Sequence, residues 1–346
     1  MKRILLTIII ITLLTIPVAA MDFTAPEAPD AAERYMPEKS ASFGEDLWYV
    51  IKNAIQETLP ELTDAASVCV SVIAIIILTT ILQNFSDPAK KVTILISTLG
   101  IGFLLLDCTS TLIRLGVTTV TELSEYGKLL LPVMTATLAA QGGVTASSAL
   151  YMGTAIFNSV LTTFIAKLIV PIVYVYLCLS VANCATQEQT LKNLRDFTKW
   201  LATWSLKILL YVFTGYMGIT GVVSGTADAA AVKAAKLTIS GTVPVVRSIL
   251  SDASESILIS AGLMKSAAGV YGMLAMIAIF IGPFLKIGIQ YLLLRLTTGI
   301  ISIFGTKESV ELVKDFSGAM GLILAMTGTV CLLLLISIVC FMKGVN

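Results

Sequence analysis

Six charged side chains lie inside stretches that are otherwise apolar, and these are the residues best placed to do chemistry: Asp107, Lys167, Lys207, Lys265, Lys286 and Arg295. A charge in hydrocarbon costs roughly 3 kcal/mol or more, so such residues usually face protein or water. Arg295 is nearest the middle of its predicted span, which favours a buried partner or an aqueous path. Asp107 and Asp252 are the alternative counter-ions. Lys207 and Lys265 lie close to predicted span ends, where snorkelling would explain them.

The sequence lacks the residue patterns that enzymes and metal sites need. It contains no histidine, which removes the usual general base and the commonest metal ligand. It also contains no Walker A loop, no H-E-x-x-H and no G-x-S-x-G. Its six cysteines form no C-x-x-C pair and are typical of small buried hydrophobic residues. We therefore predict no catalytic residue, no cofactor site and no metal site, and a protein that is not an enzyme.

The composition is that of a membrane protein. Of the 346 residues, 56% are hydrophobic and 13% are charged, and the mean hydropathy is +0.91. Soluble domains carry about 25% charged residues, which they need to cover their surface. The net charge of +1 provides no basic surface for nucleic acid. We expect an all-α, polytopic transmembrane protein with about seven spans and the lipid bilayer as its surroundings.

The beginning of the sequence predicts export. Residues 1–20 combine Lys2 and Arg3, an apolar core and a small-residue end, which is typical of a secretory signal peptide. The alternative is an uncleaved first membrane helix. Residues 21–64 are expected to form an extracytoplasmic arm that ends in an amphipathic helix, whose Trp48 suits the membrane interface.

Residues 65–346 are predicted to form the multi-span membrane domain. A single crossing is preferred between residues 146 and 184, because it leaves the basic loop at 186–199 in the cytoplasm. A division is expected at Gly282–Pro283. The predicted spans are 65–82, 92–112, 146–184, 200–224, 257–281, 283–304 and 318–342.

One segment of this domain is too short to cross a bilayer. The apolar run Leu129–Ala140 contains Pro132 and is followed by Gly142 and Gly143. Since a crossing helix needs about 20 apolar residues, we expect residues 129–143 to be re-entrant or interfacial. A bent segment of this kind must be shielded by protein or water, which makes it a candidate for a partner contact or a pore lining.

Residues 233–272 form a central amphipathic stretch within otherwise apolar sequence. After a break at Gly241, Pro244 suits a first helical turn, and Asp252 and Glu255 fall on a polar helical face. The following helix carries small residues at i, i+4 and i+7, which permit close packing. We predict a partner-binding or pore-lining element, and the alternative is a helix lying on the bilayer. The small residues are Gly262, Ser266 and Gly269.

Two blocks of the sequence are more specific than helical periodicity. The first is SGTVPVVRSILSDASESIL followed by LMKSAAGVYG, and the second is LLLPVMTATLAAQGGVTASSAL. Together they closely resemble the stage III sporulation protein AE family of endospore-forming bacteria. The likeness extends over essentially the whole chain after residue 20. One departure is Arg247–Ser248, where smaller residues are expected.

The resemblance implies a role in sporulation. It implies a multi-pass protein of the mother-cell membrane around the forespore. Its partners would be the other membrane proteins of the same operon and a forespore membrane protein. Together they would form a channel or secretion-like complex that sustains the forespore and its late gene expression. Two alternatives stay open, a self-sufficient transporter near Lys286 and Arg295 and a passive membrane scaffold. A homo-oligomer also stays open.

Overall fold

The structure is a computed structural model that describes residues 25–37, 42–83, 90–242 and 247–343, with side chains at residues 31, 83, 90–91 and 221–265 outside the description. Within those ranges it is helical with no strand, which confirms the all-α prediction. In chain order the helices are α1 Asp30–Glu33, α2 Phe43–Thr58, α3 Glu61–Gln83, α4 Lys90–Ala140, α5 Val144–Phe164, a π-helical turn Ile165–Ile169, α6 Val170–Thr186, α7 Gln189–Thr242, α8 Arg247–Ile301 and α9 Lys307–Lys343.

Helix α9 forms the centre of the bundle. It packs against α4, α5, α6, α7 and α8, and 61% of its most apolar window is buried. Its sequence explains this position, because residues 318–342 contain no charged side chain and many small ones. Gly116 of α4 lies directly against it, since a Cβ atom at Gly116 would be 2.6 Å from the Ile323 side chain. The bundle is therefore assembled by close helix–helix packing around α9.

The path from Val144 to Thr186 is one continuous helical rod, as the single-crossing interpretation requires. Its π-helical turn comes directly before Pro171. Proline has no N–H, so it cannot donate to the carbonyl of Lys167 four residues earlier, and it clashes with that carbonyl in a regular helix. Local widening of the helix relieves the clash. Lys167 itself is exposed.

The course of helix α8 differs from one predicted boundary between spans. The helix runs from Arg247 to Ile301 and passes through Gly282 and Pro283 without a turn, so the predicted division of two spans at this point is wrong. Neighbouring helices and local adjustments often accommodate proline within a membrane helix. Helix α7 continues through Gly241 to Thr242, and the rest of the predicted break before α8 lies outside the described residues.

Five helical segments of the described ranges are long and apolar enough to cross a membrane. Their lengths of 22 to 49 residues compare with the roughly 20 that a crossing needs, so most of them must tilt or project beyond the hydrocarbon. The expectation of about seven spans stays a prediction. The five segments are Glu61–Leu82, Val92–Ala140, Val144–Thr186, Ser266–Ile301 and Lys307–Lys343.

Helix α2 has two distinct faces, in agreement with the predicted amphipathic helix. Ser42 caps it, accepting a hydrogen bond from the Glu45 N–H at 3.4 Å. Val50 and Ala54 are buried on the side that packs against α8. Trp48, by contrast, is 66% exposed, as an interfacial side chain would be.

Two glycines on α4 test the importance of close packing against α9. Gly116→Ala should destabilise the bundle by about 1–3 kcal/mol, because its methyl group would press on the buried and stiff Ile323 side chain. Gly100→Ala on the same helix meets nothing within 4 Å and should be neutral or stabilising by up to about 1 kcal/mol. Unfolding of the two purified variants in detergent measures both effects, and equal stability would contradict this packing.

Candidate functional site

The most elaborate polar site in the described structure is a buried ionic cluster where α6, α7 and α9 meet. The Arg195 guanidinium of α7 donates to Glu311 at 2.7 Å and to Asp315 at 2.8 Å, both on α9. Its Nε and second terminal nitrogen donate to Asp196. The Tyr176 hydroxyl of α6 donates to the other oxygen of Asp315 at 3.1 Å. One guanidinium thus joins two helices, and one carboxylate extends the network to a third.

Helical spacing places the acids of this ionic cluster on one side of α9. Glu308, Glu311 and Asp315 are separated by three and four residues, so they project from the same face. The Gln187 side-chain amide, in the turn between α6 and α7, donates to Glu308 at 3.0 Å. The polar contacts therefore begin at the surface and continue inward for two turns of α9.

Burial makes the ionic cluster energetically important. The Arg195 side chain is 5% exposed and that of Asp315 is 9% exposed. Burial alone would lower the pKa of Arg195, but the hydrogen bond to Glu311 and the charge of Asp315 outweigh it and raise the pKa above its ordinary value. The guanidinium stays charged, and four of its five N–H donors are matched by acceptors in the cluster. Such an arrangement can fix the register of helices.

Sequence reasoning missed the ionic cluster. Arg195 falls within the basic cytoplasmic loop predicted at residues 186–199, and Asp315 falls between the predicted spans 283–304 and 318–342. The structure places both inside helices and brings them together across 120 residues of sequence. The available signal was the spacing of Glu308, Glu311 and Asp315, which indicates a charged helical face and not a loop.

The predicted segment at residues 129–143 is the end of α4 and the turn after it. Helix α4 continues through Pro132, which is exposed, and ends at Ala140. Gly142 has a positive φ of 93°, which explains a glycine here, and Gly143 is buried before α5. Partner contact and re-entry at this segment stay predictions.

The central amphipathic stretch is described only in part. Pro244 lies outside the described residues, as do the side chains of Asp252, Glu255 and Gly262. Gly269 packs within the chain, since a Cβ atom there would be 2.7 Å from the Met342 sulfur.

Ser266, between Gly262 and Gly269 on the same stripe, is exposed. A role of the stripe in binding or pore formation stays a prediction.

Arg295 lies on the exposed side of α8, with its guanidinium carbon 5.9 Å from the centre of the Tyr291 ring. No ion pair with Asp107 forms in the described part of the chain, where Asp107 is also exposed. Lys286 instead pairs with Glu61 at the start of α3. The structure therefore separates Lys286 and Arg295, which the transporter alternative would place in one pocket.

The described part of the bundle interior contains two small cavities. One cavity lies between α4, α5, α8 and α9, and the other lies between α5, α7 and α9. Each holds about 10 Å³, roughly the volume for one water molecule. Thr154 donates to Ser337 at 3.0 Å beside them. Neither cavity is a substrate pocket or a conduit.

Removing the guanidinium should strongly destabilise the protein. Arg195→Ala leaves Asp315 buried without its charge partner, which costs about 3–5 kcal/mol. Arg195→Met combined with Asp315→Leu should recover much of that loss, because it removes both charges. Lys207→Ala, at an exposed site on the same helix, is the control and should change stability by less than about 1 kcal/mol. Unfolding in detergent compares the variants, and a stable Arg195→Ala protein would refute the argument.

Comparison with known proteins identifies the family. The family model described as Stage III sporulation protein AE matches residues 33–344. A curated protein of Bacillus subtilis (strain 168), also described as Stage III sporulation protein AE, is 20% identical over 217 residues, or 63% of this chain. The match spans 54% of that relative's length. No solved structure matches the chain. The long family match shows that the chain belongs to the stage III sporulation protein AE family, and its role is in sporulation.

Proposed function

We propose that this protein is a membrane-embedded component of a channel or secretion-like complex between mother cell and forespore. In this role it supports forespore maintenance and late forespore gene expression, and it is not an enzyme. The observation that carries the proposal is the family match over residues 33–344. The long apolar helices support a position in the mother-cell membrane that surrounds the forespore.

Assembly with other proteins is central to this proposal. Its partners are the other membrane proteins of the stage III operon and a protein of the forespore membrane. The two cavities in the described part of the bundle each hold about 10 Å³, far below the roughly 300 Å³ of a small ligand pocket. This supports a path for solutes between subunits over a path through the described interior of one chain. Purified chain that moved a solute alone in liposomes would favour the transporter alternative instead.

Two segments are proposed as the contacts with these partners. The central amphipathic stretch at residues 233–272 includes the end of α7 and the beginning of α8, and its predicted polar face carries Asp252 and Glu255. Residues 129–143 lie close to it, because a Cβ atom at Gly272 would be 2.5 Å from the Leu130 side chain. The two predicted interaction segments thus meet at one end of the bundle.

Charge reversal on the central stretch tests this role. In cells that lack the chromosomal copy, the unaltered gene should restore late forespore gene expression, and the Asp252→Lys, Glu255→Lys double variant should not. Copurification of the other operon proteins should fall about tenfold, as expected when two charges are set against a complementary surface. A forespore reporter measures the late gene expression, and affinity purification from membranes measures the copurification.

The control reverses two exposed acids elsewhere, Asp64→Lys and Glu188→Lys, and should retain assembly and expression. Full assembly and sporulation with the central-stretch variant would reject the proposed contact. Loss of expression with normal membrane levels of the variant separates a failed contact from a failed fold.

Membrane sidedness gives a second test. In a variant without native cysteines, Ser251→Cys should react with an impermeant reagent added from outside, because the central stretch is proposed to face the space between the two membranes. Glu188→Cys should react only after permeabilisation, since the basic loop around it favours the cytoplasm. The opposite pattern would invert the topology and move the expected partner surface to residues 186–199.

A further inference from the structure

An open pocket of about 470 Å³ lies at the end of the bundle where α8 turns into α9. Its basic side chains are Lys192 from α7 and Lys307 and Lys314 from α9, and its wall also includes Ser302 and Glu311. We call this the basic pocket. It lies beside the buried ionic cluster, with which it shares Glu311, but its lysines take no part in that network.

The charge of the basic pocket is not neutralised within the described chain. Glu311 is its acidic wall residue, and that carboxylate is engaged by Arg195 at 2.7 Å. No ion pair of Lys192, Lys307 or Lys314 occurs among the described residues. The pocket also lies at the first turns of α9, a helix of 37 residues, whose N-terminal dipole adds positive potential. An anion is therefore the ligand that this pocket favours.

Exposed apolar side chains occur in the elements that form the pocket. Ile303, next to Ser302 in the turn, is 84% exposed. On α7, Phe197, Trp200 and Trp204 are each at least half exposed. Their rings stack in sequence, with centroids 5.9 Å and 5.5 Å apart. Tryptophan at this density on an exposed helical face is typical of the headgroup level of a bilayer.

We propose that the basic pocket binds the phosphate headgroup of an anionic phospholipid. The three ammonium groups would hold the phosphate, and the exposed apolar side chains would lie along the acyl chains. Basic pockets between helices on the cytoplasmic side of membranes suit this chemistry. The exposed Ile303 beside the pocket favours a lipid over free phosphate, because only a lipid has acyl chains that it can contact.

The test measures lipid retention by the full chain in neutral detergent. Native mass spectrometry with added phosphatidylglycerol should show bound lipid, and phosphatidylcholine of the same chain length should bind far less. Lys192→Gln, Lys307→Gln and Lys314→Gln together should weaken retention on the order of 100-fold, since each basic side chain near an anionic headgroup contributes a factor of about five. Each single variant should show its own part of that loss.

A control with the same charge change decides between a pocket and a general charge effect. Lys52→Gln, Lys128→Gln and Lys343→Gln alter three exposed lysines far from the pocket and should retain lipid. Removing Lys307 from a helix N-terminus should not destabilise the protein, so thermal unfolding separates lost binding from lost folding. Equal loss in both triple variants, no loss in either, or displacement of the lipid by inorganic phosphate would each overturn the proposal.

Discussion

Close packing around α9 is the constraint on which the rest of this structure depends. Five other helices contact α9, and Gly116 and Gly127 of α4 and Gly269 of α8 lie directly against its side chains. In a membrane the lipid chains are as apolar as the helices, so burial alone does not hold the helices together. Close shape complementarity between the helices must therefore supply much of the stabilisation. The contact of Gly116 with Ile323 therefore contributes to holding α4 and α9 together.

Charge complements shape at one end of the bundle. Arg195 and Asp315 each satisfy several hydrogen bonds in the buried ionic cluster, and these bonds favour the observed register of α9 against α6 and α7. Hydrocarbon packing tolerates small errors in register, whereas a buried guanidinium does not. The two kinds of contact thus specify different things: close packing sets how near the helices lie, and the ionic cluster sets their relative height.

The helical class and the amphipathic α2 were predictable from the sequence, because each depends on local periodicity. The continuity of α8 through Pro283 was not, since Gly-Pro is a reliable stop signal only where nothing nearby supports the helix. Arg195 and Asp315 were also missed. The positive-inside rule counts charges one at a time, and a pairing across 120 residues is a property of the fold.

The position of α9 in chain order has a consequence for biosynthesis. The helices that surround it are all made first, so during translation their grooves at Gly116 and Gly269 have no α9 to fill them. The nascent bundle must hold an open seam in the membrane until α9 emerges and inserts. During that interval lipid or another subunit can occupy the seam. The synthesis of α9 therefore sets the time at which the bundle can close.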